Sequence, residues 1–459
     1  MATTGGKKIQ TIILFTAFAL TLILAAAPAA HATTGHFMHG FGTVNQSMGG
    51  AGTALFLDPL SAIGWNPAGA VRFDGGHMEL SLEYFMPDSS LRSTVSANAF
   101  GAGMPNVSTD GATSSTIGDS ILPAFGYIWR RPGEKHALHI GFSGVAGFGV
   151  DYPQDNTLTA GPAAQANSNL ILTPQMPNGF GFGHIESDYR LMKIYIGNSY
   201  QVSDNLSWGY SLVPAYSQLK VSPAPFAAPD DANGDGFSTY PNAAKMASAF
   251  GFGVQAGVAY DMNERLTLGL SVASPISMGD YTWSAADENG APRSINFDMD
   301  VPMFITTGLG YKLNDKTQLA FDIKWINYEQ THGFEQNGFN PDGSVAGFGW
   351  DNIMVYAMGV QHELNGRWKV RVGYNHSDDP IPGDMSFFNT PAPAEVQDRA
   401  AIGFTYKYTD YSDIHFGYYK AFEHTHSGPM QGAAGAVANT QIYNTLAEDS
   451  LSLGYSYKF

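Results

Sequence analysis

A chain of 459 residues is long enough for two or three soluble domains, or for one large β-barrel. Only 14% of it is charged, while 53 Gly, 29 Phe and 23 Tyr tilt the composition toward strands, turns and aromatic surface. The formal charge of −17 disfavours nucleic acid as a partner, and the absence of cysteine excludes a disulfide scaffold, a thiol nucleophile, a Cys-bound zinc and a lipid anchored on an N-terminal Cys.

Residues 1–32 read as a signal peptide. Lys7 and Lys8 precede an apolar run from Ile9 to Ala27, and Ala30-His31-Ala32 supplies the small-x-small cleavage pattern, which predicts a mature start at Thr33. A retained membrane helix is the rival reading, but the run is short for one. No later stretch approaches that length, so a mature chain that spans a membrane must do so as a closed barrel.

Residues 33–75 lack alternation and carry Gly49-Gly50-Ala51-Gly52, then Asp58-Pro59-Leu60-Ser61-Ala62-Ile63-Gly64, then Trp65-Asn66-Pro67-Ala68-Gly69. From residue 76 to 459 the pattern changes to period two. Fourteen segments fit a strand that is apolar on one face: 76–86, 120–130, 136–150, 187–202, 205–220, 249–261, 264–284, 294–313, 316–330, 351–364, 367–377, 398–409, 411–424 and 446–459. The expected fold is therefore all-β, an antiparallel transmembrane barrel of about fourteen strands. Side chains cannot fill a barrel that wide, and the 33–75 segment has the size and position to plug it.

The third segment contains Gly141, Gly144, Gly147, Phe148 and Gly149. Glycines inside a strand permit a bulge or a locally opened wall; the plainer reading is small residues making room for the plug. Links 87–119, 151–186, 221–248, 331–349, 378–397 and 425–445 are rich in Pro, Gly, Asn and Ala, as extracellular loops would be, whereas turns at 261–264, 313–316 and 364–367 are tight and periplasmic in type. In one loop Asp231, Asn233 and Asp235 stand at alternate positions before Gly236, like half of a calcium loop. Position twelve is Asn242, which lacks the bidentate carboxylate, so an acidic turn is the simpler account. His424 with His426, and His36 with His39, carry no stronger metal case.

Toward the C-terminus Trp368, Val370, Val372 and Tyr374 oppose Arg367, Lys369 and Arg371, cations that belong in a lumen rather than in lipid. Leu451, Leu453, Tyr455, Tyr457 and Phe459 then form one outward row to the last residue. No nucleophile elbow, His-Glu-x-x-His helix or phosphate loop is present, so neither an enzyme nor a cofactor is expected.

The stretch ending in Asn66-Pro67-Ala68, the run from Trp368 through Arg371-Val372-Gly373-Tyr374 and Pro380-Ile381-Pro382 to Asp398-Arg399, and the aromatic last strand together resemble the FadL family of outer-membrane transporters for long-chain fatty acids and aromatic hydrocarbons. The resemblance implies a hatch at 33–75 inside a fourteen-stranded barrel at 76–459. It also implies ligand capture by extracellular loops, an internal apolar pocket, and lateral exit beside a kinked third strand at Gly144, Gly147, Phe148 and Gly149. Pocket candidates are Phe37, Phe41, Phe56 and Trp65, with Lys220 and Arg371 as carboxylate partners; plug packing, a solvated lumen, or salt bridges to Asp58 and Asp74 explain the same residues. Expected partners are a hydrophobic small molecule, outer-membrane lipid and lipopolysaccharide, and the barrel-assembly machinery reading the strand that ends at Phe459. The protein is expected as a monomer in a Gram-negative outer membrane. A polar-solute porin and a loop-based adhesin or phage receptor are the alternatives.

Overall fold

The computed structural model describes residues 34–159, 162–243 and 245–459. The expected signal peptide and its cleavage point fall outside the described residues. The strands are β1 (His77–Val95), β2 (Ser120–Trp129), β3 (His136–Tyr152), β4 (Ile185–Ser203), β5 (Leu206–Ser222), β6 (Ala247–Asp261), β7 (Leu266–Ala273), β8 (Met303–Asn314), β9 (Thr317–Asn327), β10 (Ile353–Asn365), β11 (Trp368–Ser377), β12 (Asp398–Lys407), β13 (Ser412–Gly428) and β14 (Thr440–Lys458). Each pairs antiparallel with its neighbours in chain order, and β14 pairs with β1 from His77↔Lys458 to Val95↔Thr440. The fourteen strands thus form a closed barrel with no free edge.

Alternation decides which face each side chain takes. On β14 Leu451, Leu453, Tyr455 and Tyr457 are between 38% and 51% exposed, while Ser450 and Ser452, which alternate with them, are buried. Polar residues therefore face inward and apolar ones outward, the reverse of a soluble sandwich. Among the described residues no helix is long and apolar enough to cross a membrane.

Three turns share one device. Asn263 Oδ1 accepts from the Arg265 and Leu266 amides at 2.9 and 3.0 Å. Asn314 does the same for Lys316 and Thr317, and Asn365 for Arg367 and Trp368. An Asx turn closes each hairpin with few residues, which makes this rim of the barrel short.

Several strand boundaries differ from expectation, among them the segment expected at 294–313, which joins the barrel only from Met303. The segment expected at 264–284 stops at Ala273, and residues 281–286 instead pair with 292–297 in a separate hairpin beyond the wall. Pro275 and Pro302 mark the interruptions, since neither can donate to a ladder. Strand β1, expected to stop near 86, runs on through Pro87 to Val95. Pairing of β1 with β2 ends at Phe85, and pairing with the short strand Thr109–Ser114 begins at Ser90, so Pro87 stands where that flank needs no donor.

Residues 34–73 fold into α1 (Gly42–Ser47), α2 (Pro59–Gly64) and a 3₁₀ turn (Pro67–Arg72). The Asp58 Oδ1 accepts from Ser61 N at 2.8 Å with Pro59 at the first helical position, a standard start for α2. Asn66 repeats the device for the 3₁₀ turn, accepting from Ala68 N at 3.1 Å. α1 packs against β11 to β14 and β1, α2 against β1 to β3, and the 3₁₀ turn against β3 to β6, so the segment touches the inner wall around most of its circumference.

Glycine makes that approach possible. A Cβ at Gly359 would lie 2.5 Å from Met48 O, and one at Gly310 would lie 2.8 Å from Ala54 O. Methyl groups at Gly209, Gly257, Gly373 and Gly403 would overlap Pro67, Asn66, Gly49 and Ser47. Barrel backbone and segment meet almost without intervening side chains, which accounts for much of the glycine content of the strands.

Candidate functional site

Inside the wall the two halves of the barrel differ in chemistry. From β10 round to β1 the inner face carries Gln361, Arg371, Asn375, Arg399, Thr405, Glu448, Glu79 and Glu83, all buried. The opposite side is largely apolar and holds a cavity of about 70 Å³.

Phe37, Phe41, Trp65, Tyr195, Ile276 and Phe304 line this cavity, together with Gln255, Thr306, Lys193 and Lys324. Strands β4 and β9 aim their lysines inward by alternation, in register with Tyr195 and Asp322. The Lys193 ammonium lies 5.3 Å from the Phe37 ring centre and 5.1 Å from that of Phe304. Lys324 lies 3.9 Å from the centre of Trp65. Aromatic faces attract cations but do not neutralise them. Among the described residues neither ammonium forms a salt bridge to a carboxylate, and Asp322, two residues from Lys324, gives its Oδ2 to Gly52 N, Thr53 N and Thr53 Oγ1 at 2.8, 2.9 and 2.7 Å. Two lysines thus stand at the wall of an apolar space without a salt bridge among the described residues, Asp322 being the acid on the same face as Lys324.

The residues expected at a pocket divide. Phe37, Phe41 and Trp65 line the cavity; Phe56 does not, packing instead under Arg72, whose guanidinium lies 5.5 Å from its ring. Lys220 points to the flank of β5 and is paired with Glu186 at 2.7 Å. Arg371 lies on the polar side, donating to Gln361 Oε1 and Thr405 Oγ1 at 2.8 Å, and borders a charged cavity of about 380 Å³ that also includes Asp58, Lys369 and His415. Lys193 and Lys324 were missed by sequence reasoning, although each is a lone cation on the inward face of an otherwise alternating strand.

The glycine-rich third strand is irregular. β3 pairs with β2 only from Leu138 to Ser143, and its register against β4 slips between Gly144 and Ala146. Beyond Ser143 the edge of β3 is taken by the N-terminal segment: Met38 N donates to Val145 O and Gly147 N to His36 O, both at 2.9 Å. Phe148 is buried against Tyr189, with ring centres 5.0 Å apart, and Gly149 pairs with Asp188. Asn66 ties the segment to itself and to the wall, its Nδ2 donating to Thr53 O at 2.7 Å and to Val258 O of β6 at 3.1 Å, and Pro67 and Ala68 lie over Gly209.

In the outer loops Asp231, Asn233 and Asp235 accept from the amides of Gly236, Asp235 and Phe237. Their oxygens serve the turn itself. A second apolar cavity, about 60 Å³, lies between loops and is lined by Ile171, Phe182, Tyr240, Phe339, Phe387 and Phe388.

A closed barrel with an apolar outer wall and an inner segment in contact with it is a transmembrane β-barrel with an occupied bore. The chain belongs to the family described as outer membrane protein transport protein (OMPP1/FadL/TodX), whose model matches residues 181–459. Membership makes it an outer-membrane channel of the FadL type, and a transporter rather than an enzyme. Comparison with curated proteins finds no match. Among solved structures the chain is similar to the P. putida toluene transporter TodX, with 19% identity over 92% of this chain and 99% of that one and a TM-score of 0.64. It is likewise similar to the Ralstonia pickettii toluene transporter TbuX, at 18% identity, 92% and 99% coverage and TM-score 0.63. A Pseudomonas aeruginosa FadL homologue gives 16% identity, 93% and 100% coverage and TM-score 0.69. At these identities the likeness is one of fold.

Proposed function

We propose that this channel takes up small hydrophobic molecules, and long-chain fatty acids in particular, with residues 33–75 acting as a hatch that keeps polar solutes out of the bore. The observation that carries the reading is the pair of lysines, neither in a salt bridge among the described residues, at an apolar, aromatic cavity. An apolar wall accepts the tail, and two ammonium groups supply the few polar contacts that orient a carboxylate. Ligand pockets commonly enclose about 300–1,000 Å³, so a cavity of about 70 Å³ has to widen before it admits an acyl chain or a ring.

In this reading the cavity between the outer loops captures ligand first. Exit is lateral, at β3 beyond Ser143, where the wall is completed by residues 36–38 rather than by a barrel strand. Two of the backbone hydrogen bonds that hold those residues to β3 run from Met38 N and from Gly147 N, and releasing them costs about 0.5–1.5 kcal/mol each. Export with removal of residues 1–32, contact of the loops with lipopolysaccharide, and recognition of the β14 aromatic row by the assembly machinery belong to the same proposal.

A second reading, transport of aromatic hydrocarbons, draws on the rings of Phe37, Phe41, Trp65 and Phe304 around the cavity, and two of the similar structures are named as toluene transporters. Uptake of labelled oleate and labelled toluene into cells with and without the protein tests both. Oleate-specific uptake supports the first reading and toluene-only uptake the second. Equal rates with and without the protein refute transport of either.

A further inference from the structure

Three outer side chains that take no part in the proposed transport path converge from two loops. Asp298 and Asp300 lie in the link between the 281–297 hairpin and β8, and His332 lies in the link between β9 and β10. His332 Nδ1 is 3.2 Å from Asp298 Oδ2 and 3.5 Å from Asp300 Oδ2, and one ligand atom from each of the three residues lies within 4.8 Å of the other two.

We propose that Asp298, Asp300 and His332 form a divalent-metal site of the zinc type on the extracellular face. Zinc bound by imidazole and carboxylate at about 2.0–2.1 Å in a tetrahedron has ligand atoms about 3.3 Å apart. The two measured separations bracket that edge. What distinguishes this group from an acidic patch is the imidazole, whose nitrogen is a donor to borderline metals such as zinc and cobalt. Three protein ligands leave a fourth position for water, and 60% exposure of the His332 side chain leaves the site open to ions from the medium.

The backbone holds the ligands in place without the ion. Met299, between the two aspartates, is fully buried against Gly333, which puts both carboxylates on the other side of the chain, Asp298 exposed and Asp300 mostly covered. Gly333 has φ +83°, and a Cβ there would lie 2.9 Å from the Met299 side chain. Asp300 N donates to His332 O at 3.1 Å, which fixes one loop on the other. Met278 N donates to Asp300 Oδ1 at 2.7 Å and leaves Oδ2 for the ion. On the far side of the imidazole, Glu335 Oε1 stands 3.9 Å from Nε2, beyond hydrogen-bond distance here but close enough for a side-chain rotation to bring it behind the ring as the ion binds. Phe334, between His332 and Glu335, stacks on His36 of the N-terminal segment with ring centres 4.9 Å apart and planes 6° from parallel. A bound ion therefore braces the loop that lies on residues 36–37, next to the cavity.

The test uses the full mature chain in detergent without a polyhistidine tag, titrated with cobalt(II) and then zinc. One cobalt per chain with the strong visible bands of four-coordinate geometry, displaced by one zinc, is expected. His332→Ala and Asp300→Asn should each weaken binding by about a hundredfold, and Glu335→Gln by about tenfold, with unchanged β-sheet circular dichroism. Absence of a four-coordinate spectrum at excess cobalt overturns the site. So does an affinity unchanged in His332→Ala, or a cluster that proves an ion pair only, with loop stability depending on His332 but not on metal.

Discussion

Asp322 is the strongest single tie between the wall and the N-terminal segment, and Asp322→Ala measures that tie. One carboxylate oxygen accepts from two backbone amides and a hydroxyl at 2.7 to 2.9 Å, at a residue only 3% exposed. Hydrogen bonds to a charged acceptor contribute about 1.5–3 kcal/mol each, and they do not add fully when they share one oxygen. Removal also leaves the Gly52 and Thr53 amides buried without a partner, at about 1–3 kcal/mol apiece. The segment should thus loosen by about 3–5 kcal/mol, which lowers hydrogen-exchange protection of those amides by about two to four powers of ten. Asp322→Asn keeps an acceptor oxygen and should cost less than half as much. In planar bilayers the alanine variant should show frequent ionic openings where the parent is nearly silent. Unchanged conductance together with unchanged exchange at Gly52 and Thr53 would refute the assignment of residues 33–75 as a seated hatch.

Lys193→Met with Lys324→Met should weaken oleate binding by about 10- to 100-fold while leaving toluene binding unchanged, read by calorimetry on both ligands. Gly257→Val should destabilise by about 1–3 kcal/mol through overlap with Asn66, whereas Gly366→Ala, with open space around it, should shift thermal unfolding hardly at all. In the 378–397 loop, burial raises the Asp379 pKa to about 7, and burial helped by the Asp379 charge raises that of Glu395 to about 8. The folded loop keeps protons that an unfolded one releases near pH 4, so its stability is greatest in acid and falls as pH rises through 7 to 8. Proteolysis of this loop should be faster at pH 9 than at pH 6, and Asp379→Asn with Glu395→Gln should remove the difference; equal cleavage of the parent at both pH values would contradict it.

Much of the barrel was legible because lipid allows only one solution to the backbone hydrogen-bond problem, and that solution writes period two into every strand. Leu451 to Phe459 and Trp368 to Tyr374 show it directly. Strand ends were less legible. Pro87 reads as a stop in sequence, yet β1 continues through it because its neighbour on one side is missing there. The cavity was half legible: Phe37, Phe41 and Trp65 stand out as large apolar groups in a glycine-rich segment. Lys193 and Lys324 are separated by 131 positions and meet only when β4 and β9 face each other across the bore. Nothing local in the sequence announces that residues 36–38 complete the edge of β3, since that pairing depends on where β2 parts from β3.

The glycine contacts bear on how this chain tolerates change. At Gly209, Gly257, Gly373 and Gly403 the fit between wall and segment resides in the lack of a side chain, so every substitution adds bulk and none is conservative. Lipid-facing Leu, Val and Phe can trade places because fluid acyl chains accommodate any of them. Variation should therefore be freest on the greasy exterior and scarcest at the smallest residues within.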